Sequence, residues 1–134
     1  DASPEAFDAV LSAGNSLAGV VQLAALDLPA EPSMSAIEQM KRSVLHSTLH
    51  LIQALLRREA SAAIHLVTCG AQATAEGEAV APHQMPLWGL GRVVGLEHPN
   101  LLGKFIDLGL QSAEVSATAE LLLAEVLELD RVVG

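Results

Sequence analysis

Hydrophobic and polar positions alternate with two different periods along the chain, and the change of period predicts helices separated by short strands. The first predicted helix covers Pro4–Ala13, with Ser3 as its N-cap. Phe7, Val10 and Leu11 fall on one side of that helix and are expected to face the core.

Three short apolar runs predict strands: Gly19–Leu23, Ala62–Thr68 and Gly103–Leu108. Continuous apolar runs of this length are typical of strands that are buried on both faces of a parallel sheet. Cys69 and Gly70 end the second run, and a loop rich in small residues follows it.

The clearest predicted helix starts near Ser35 and ends near Arg58. Ser35 and Glu38 have the spacing of a capping box, and Arg57 and Arg58 in the last turn complement the helix dipole. The positions with helical period form a wide face, as expected for a helix on a sheet: Ile37, Met40, Val44, Leu45, Thr48, Leu49, Ile52, Leu55 and Leu56.

Two more helices are predicted, one over Pro86–Glu97 that Pro99 ends, and a last amphipathic one capped by Ser112 or Ser116. In the last helix we expect Val115, Leu122, Val126 and Leu129 to face inward and Glu114, Glu120, Glu125 and Glu128 to face outward. Strands that alternate with helices predict an α/β fold, with a parallel sheet and right-handed crossovers.

Composition narrows the function classes. The 134 residues fit one α/β domain, 1–134, with an aliphatic core, because 51% of them are hydrophobic and only 2% aromatic. A net charge of −9 argues against nucleic acid and gives no support to an anionic membrane surface. A single cysteine, Cys69, excludes an internal disulfide and indicates a reducing, cytoplasmic compartment. The start at Asp1 without a methionine is typical of a piece of a longer polypeptide, or of a processed chain.

Gly89, Gly91 and Gly95, followed by Asp107, resemble a dinucleotide-binding fingerprint. In that fingerprint the glycines follow a strand directly and precede a helix. Here a long loop separates them from the preceding strand, and they fall inside the predicted helix. We therefore predict that Gly91 and Gly95 give the helix a flat side for a neighbouring backbone. A small nucleotide-binding domain that uses Gly89–Gly95 stays open as the alternative.

The remaining polar residues do not predict a catalytic or metal site. His46 and His50 lie one helical turn apart, but the sequence supplies no third ligand, so a solvated helix edge is predicted. His65, in mid-strand, is expected to be a hydrogen-bonded interior or edge histidine. Cys69 at a strand end and the pair Glu97-His98 have no partner that the sequence identifies.

The chain contains no tyrosine. A short-chain reductase needs a tyrosine as its proton donor, so this chain cannot carry out that reaction by itself. We predict no catalytic, cofactor-binding or metal-binding residue.

Five stretches of the sequence resemble, in order and spacing, the structural subdomain of a modular type I polyketide synthase ketoreductase. The more specific ones are Trp88–Arg92 (WGLGR) and Leu96–Pro99 (LEHP), and the others are Gly19–Asp27, Leu66–Ala71 and Ile106–Leu108. Cys69 departs from the family, which commonly has an arginine there. Relative to the family, the chain is expected to begin after the first strands of the subdomain and to end before the catalytic half.

The resemblance implies a truncated Rossmann-like fold that does not itself bind NADPH. It implies that NADPH binds to a neighbouring catalytic subdomain, which reduces the β-keto group of a chain held on an acyl carrier protein. Trp88, Arg92 and Glu97 match the family motif and are expected to have fold or interface roles. The expected partners are that catalytic subdomain and other polyketide synthase domains.

Three functions follow as hypotheses. The leading one is a non-catalytic scaffold for the reductase half, either of an active ketoreductase or of a reductively silent one. The second is nucleotide binding through Gly89–Gly95. The third is a free-standing interaction domain.

Overall fold

The computed structural model describes residues 3–13, 17, 19–58, 62–73, 76–77, 80–109 and 115–132. Helices and strands alternate in the order α1 (Pro4–Ala13), β1 (Gly19–Gln22), α2 (Met34–Gln39), α3 (His46–Arg57), β2 (Ala63–Cys69), α4 (Met85–Glu97), β3 (Leu102–Leu108) and α5 (Val115–Val132). A π-helical segment, Met40–Leu45, joins α2 to α3, and short 3-10 turns cover Ala24–Asp27 and Pro82–Gln84. The predicted elements and their alternation are confirmed.

The three strands form one parallel sheet in the order β1-β2-β3, with β2 in the centre. The parallel α/β architecture is therefore confirmed. β2 is buried along most of its length, as its apolar run predicts. The expectation that Gly19–Leu23 is a buried strand is wrong in part: β1 lies at one edge of the three described strands, and Val21 is 37% exposed.

A register shift between β2 and β3 surrounds His65. Ile64 pairs with Leu102, whereas Leu66 pairs with Phe105, so β3 carries one extra residue there. The backbone N–H of Lys104 donates to Nδ1 of His65 (3.0 Å). At Gly103 a Cβ would lie 2.6 Å from the His65 ring, so only glycine leaves room for the imidazole. The buried, hydrogen-bonded histidine that the sequence predicts is confirmed.

Burial of His65, and next the positive charge of Lys104, lower the pKa of His65 below its usual value. Folding therefore favours the neutral ring, and the unfolded chain takes up the extra proton as the pH falls. Stability from this residue is complete above the unfolded pKa of about 6.5 and is lost as the pH falls from there through the folded pKa. We expect urea titrations between about pH 7.5 and pH 5.5 to show a decreasing free energy of unfolding.

The replacement His65→Asn should flatten that pH dependence, because the amide oxygen can accept from Lys104 N–H without titrating. His46→Asn is the matched control, since His46 is exposed on α3. An equal slope in the His65→Asn variant and the unmodified chain would contradict this assignment.

The core lies between the sheet and the long helical segment from α2 to α3, with α4 closing it. Its largest fully buried side chains are Met40, Leu55, Ile64, Leu66, Leu87 and Val44. The inward face of the long helix is narrower than predicted, because Ile37, Leu49 and Leu56 are 48%, 41% and 39% exposed. The described part of the chain contains no helix long and apolar enough to span a bilayer.

The N-cap of the long helical segment differs from the prediction. Ser33, not Ser35, takes an extended backbone and accepts a hydrogen bond from Ala36 N–H (3.0 Å). Because the residue three positions on is alanine, there is no capping box. Glu38 instead forms an exposed ion pair with Arg42, one turn along the helix.

The first helix packs on α3 and is held by its predicted cap. The hydroxyl of Ser3 accepts from Ala6 N–H (3.1 Å). Phe7 and Leu11 pack against the core, but Val10 is 70% exposed, so its predicted inward orientation is wrong.

The two arginines that end α3 both contact α1. The guanidinium of Arg57 donates to the carboxylate of Asp8 (3.1 and 3.2 Å), and Arg58 donates to the Asp8 carbonyl and to the Ser12 hydroxyl. These two residues therefore link α1 to α3, a tertiary role that the dipole argument did not predict.

The last helix has the predicted orientation where its side chains are described. Leu122 and Val126 are half-buried, while Glu120 and Glu125 are exposed. Ser116 lies inside the helix, so it is not the N-cap. The expectations for Ser112, Glu114 and the side chains of Val115, Glu128 and Leu129 lie outside the described part.

Candidate functional site

Ligand sites of parallel α/β folds form at the carboxyl ends of the strands. In this chain that region is Thr68–Gln72, which comprises the end of the central strand β2 and the turn after it, and which we call the β2 exit. Gly70 turns it with a φ of +71°, a conformation that favours glycine. Gly70 N–H donates to the Leu108 carbonyl (2.7 Å), and the Gly70 carbonyl accepts from Ala81 N–H (2.6 Å), so both neighbouring segments hold the turn.

The carboxylate of Asp107 fills the position where this turn directs its backbone donors. One oxygen accepts from the Thr68 hydroxyl (2.7 Å) and from Ala71 N–H (2.9 Å), and the other accepts from Gln72 N–H (2.9 Å). Consecutive N–H groups in a turn are a common anion-binding arrangement in phosphate sites. In this chain the bound anion is the protein's own side chain. Asp107, the acid of the apparent fingerprint, is thus committed to closing the β2 exit.

Trp88 completes the same hydrogen-bond network. Its indole N–H donates to the Thr68 hydroxyl oxygen (2.8 Å), and its ring stacks on Phe105 with centroids 4.5 Å apart and planes inclined by 13°. Thr68 is fully buried, and its hydroxyl donates to Asp107 and accepts from Trp88. The one proton of the hydroxyl is therefore already engaged in a hydrogen bond. These contacts give the only tryptophan a packing role between α4 and the sheet.

Gln84 is a second buried polar group at this end of the sheet. Its side-chain oxygen accepts from Cys69 N–H (3.3 Å), and its side-chain N–H donates to the Ala25 carbonyl (3.0 Å). It therefore joins the β2 exit to the turn after β1. Sequence analysis did not identify Gln84, because a glutamine in a short turn has no periodic pattern around it.

Cys69 lacks the properties of an activated nucleophile. Burial raises the pKa of its thiol, and the negative charge of Asp107 raises it further. A raised pKa keeps the sulfur protonated at neutral pH, whereas nucleophilic cysteines have a lowered pKa.

The three glycines of the apparent fingerprint lie inside α4 and not ahead of it, as predicted. A Cβ at Gly91 would overlap the Phe105 ring and lie 2.8 Å from Leu66 Cδ1, and a Cβ at Gly95 would lie 2.8 Å from Leu102 Cδ2. Close packing is thus confirmed at both positions, with the correction that the contacts are side chains of the sheet and not a neighbouring backbone.

Gly89 differs from the other two glycines. It is exposed on α4, and a Cβ there would meet nothing within 4 Å. Packing therefore does not explain it.

The other residues considered from the sequence do not converge on one site. His46 is exposed and His50 half-buried on α3, and within the described ranges no three His, Cys, Asp or Glu side chains are grouped to hold a metal ion. Arg92 and Glu97 are exposed on α4, and His98 ends that helix with its N–H donating to the Val94 carbonyl (2.7 Å).

The family model described as "Polyketide synthase extender module SpnB, Rossmann fold domain" matches residues 2–131. The pikromycin polyketide synthase component PikAII of Streptomyces venezuelae is 38% identical over 102 residues, 75% of this chain and 3% of PikAII. Erythronolide synthase EryA3 of Saccharopolyspora erythraea is 35% identical over 115 residues, 79% of this chain and 4% of EryA3.

A solved structure of A-type ketoreductases from a modular polyketide synthase superposes with a TM-score of 0.66 at 33% identity. That comparison covers 90% of this chain and 26% of the ketoreductase chain. The chain thus spans a small part of each of these relatives, all of them polyketide synthase proteins. It belongs to the family of Rossmann fold domains of polyketide synthase extender modules, as the structural subdomain of the ketoreductase region.

Proposed function

We propose that this chain is the non-catalytic, supporting half of a ketoreductase unit in polyketide biosynthesis. The observation that carries the proposal is the closed β2 exit. Asp107 takes up the Thr68 hydroxyl and two backbone N–H groups that could otherwise bind a phosphate. NADPH binding and ketone reduction would then belong to a neighbouring catalytic subdomain.

The packing of α4 supports the same proposal. In a dinucleotide site, glycines at a helix N-terminus let the backbone approach the pyrophosphate. Gly91 and Gly95 instead let α4 approach the side chains of Phe105, Leu66 and Leu102. The absence of tyrosine from the sequence removes the proton donor of a short-chain reductase.

The exposed apolar surface supports a protein partner. β3 is half-buried along its whole length, and α5 exposes Leu121, Leu123 and Leu127 by 69%, 59% and 53%. Leu121 lines the same groove as Phe105, Ile106 and Leu108 of β3, and exposed apolar surface of this kind is typical of an interaction site. We propose the catalytic subdomain as the partner, other synthase domains as further neighbours, and the reducing cytoplasm as the compartment.

The proposal is tested by calorimetric titration of the chain with NADPH and by an assay for reduction of a β-keto thioester. We expect no heat of binding and no NADPH consumption, because among the described residues the β2-exit donors that could bind a phosphate are taken by Asp107. A complete A-type ketoreductase is the positive control for both measurements. Stoichiometric NADPH binding in the micromolar range would refute the proposal.

One observation favours the nucleotide-binding alternative: Gly89 is exposed and unexplained by packing. The variant Gly89→Leu separates the two functions, since position 89 is exposed, a Cβ there meets nothing within 4 Å, and the change should leave the fold intact. If the chain binds a nucleotide through Gly89, the variant should lose that binding without losing stability. The scaffold proposal expects no nucleotide binding before or after the change.

A further inference from the structure

A cavity of about 390 Å³ lies between the long helical segment and the turn that precedes α4, and no residue of the β2 exit lines it. Its volume falls within the range of ligand pockets, roughly 300–1,000 Å³. The walls are mostly apolar and consist of Pro32, Ile37, Met40, Leu45, Pro82 and Pro86. Lys41 and His83 are the two polar residues of the lining.

His83 brings a specific hydrogen-bond requirement to this cavity. The residue is 3% exposed, and its Nε2 lies 2.7 Å from the Pro29 carbonyl oxygen. A carbonyl only accepts, so Nε2 carries the proton, and in the neutral ring Nδ1 is left as an acceptor. Among the described residues Nδ1 has no hydrogen-bond partner and is closed to solvent. A buried acceptor without a donor destabilises the fold.

The opposite wall is an irregular helix. Met40, Lys41 and Leu45 belong to the π-helical segment, where His46 N–H donates to the carbonyl five residues back. Such π-helical segments are rare, and those that occur are frequently found at functional sites. The extra residue in the turn widens the helix. Here the widened turn forms one side of the cavity.

We propose that this cavity binds a small, mainly apolar molecule that carries one hydrogen-bond donor, of the class of aliphatic alcohols. The apolar body would lie against the prolines, Met40 and Leu45, and the hydroxyl would donate to Nδ1 of His83. Because Nδ1 is covered in this conformation, binding requires the ring to tilt toward the cavity while Nε2 stays on Pro29. The cavity lining shares no residue with the β2 exit, so the proposal does not rest on the scaffold function.

The test compares 1-hexanol with methyl pentyl ether, an isomer with the same atoms but no donor. In NMR titrations of the chain at millimolar ligand, the alcohol should perturb Met40, Leu45 and the Nδ1 resonance of His83. We expect it to bind roughly fivefold more tightly than the ether, the effect of one hydrogen bond of about 1 kcal/mol. Equal binding of the two isomers, or no perturbation of His83, would overturn the proposal.

A pair of variants locates the binding site. Ile37→Trp should fill the cavity and abolish the perturbations, while Leu49→Trp should leave them, because Leu49 is similarly exposed but does not line the cavity. Undiminished binding in a folded Ile37→Trp variant would also contradict the proposal. The comparison of isomers on the unmodified chain needs no variant, so a folding defect does not prevent a decision.

Discussion

Gly91→Ala should destabilise the fold by about 1–2 kcal/mol, whereas Gly89→Ala, two positions earlier in α4, should stabilise it by up to about 1 kcal/mol. Both replacements bring the same gain in helix propensity. They differ in surroundings: the new Cβ at Gly91 overlaps the Phe105 ring and approaches Leu66, while the one at Gly89 meets open space. The difference between the two variants therefore measures the packing of α4 on the sheet.

Phe105 cannot yield easily to the new methyl group. Its ring stacks on Trp88, and Trp88 is held through its indole N–H by Thr68. The measurement is urea unfolding followed by tryptophan fluorescence, which reports on Trp88 directly. If Gly91→Ala were as stable as Gly89→Ala, the packing explanation of the glycines would be wrong.

Asp107→Asn should lower the free energy of unfolding by about 2–3 kcal/mol, because it weakens charge-assisted hydrogen bonds and turns one edge of the side chain into a donor. That edge would face either the N–H of Gln72 or the donors of Thr68 and Ala71. Two donors would then face each other in a partly buried turn.

Asp8→Asn is the control for the loss of one carboxylate. Asp8 pairs with Arg57 in an ion pair whose side chains are 43% and 48% exposed, so its replacement should cost less than about 1 kcal/mol. Equal effects of the two variants in urea unfolding would show that Asp107 does not hold the β2 exit. NADPH binding that appeared only in Asp107→Asn would show that the carboxylate occupies a working phosphate site.

The periodic elements of this fold could be predicted well because each depends on local spacing. The helices α1 and α4, the strands β2 and β3 and the parallel sheet follow from apolar periods and from where proline and glycine interrupt them. Caps were less predictable. Ser33 and Ser35 are both good N-cap residues, and the choice depends on where the backbone first turns helical.

Burial was predicted less well than helix position. Val10, Ile37, Leu49 and Leu56 all have helical spacing, yet each is more than a third exposed. How wide a face becomes buried depends on the elements that pack against it, and those are distant in sequence. No local residue pattern identified the π-helical segment Met40–Leu45 either.

The candidate site shows most clearly which features follow from the sequence and which depend on the tertiary structure. Three residues of the site stood out in the sequence: Thr68 as a strand end, Trp88 as the only tryptophan, and Asp107 as the acid of an apparent fingerprint. The sequence alone determined that the chain is α/β and has no tyrosine to serve as the proton donor of a reductase. It also determined that the glycines do not lie between a strand and a helix, where a nucleotide-binding fingerprint has them. Only the tertiary structure decided that the Asp107 carboxylate closes the β2 exit and that the glycines pack on Phe105, Leu66 and Leu102. The physical reason is the separation along the chain of the residues that interact. Periodic patterns depend on residues that are close in sequence, whereas the hydrogen bonds of Asp107 join residues 35 to 39 positions apart and form only when the strands lie side by side.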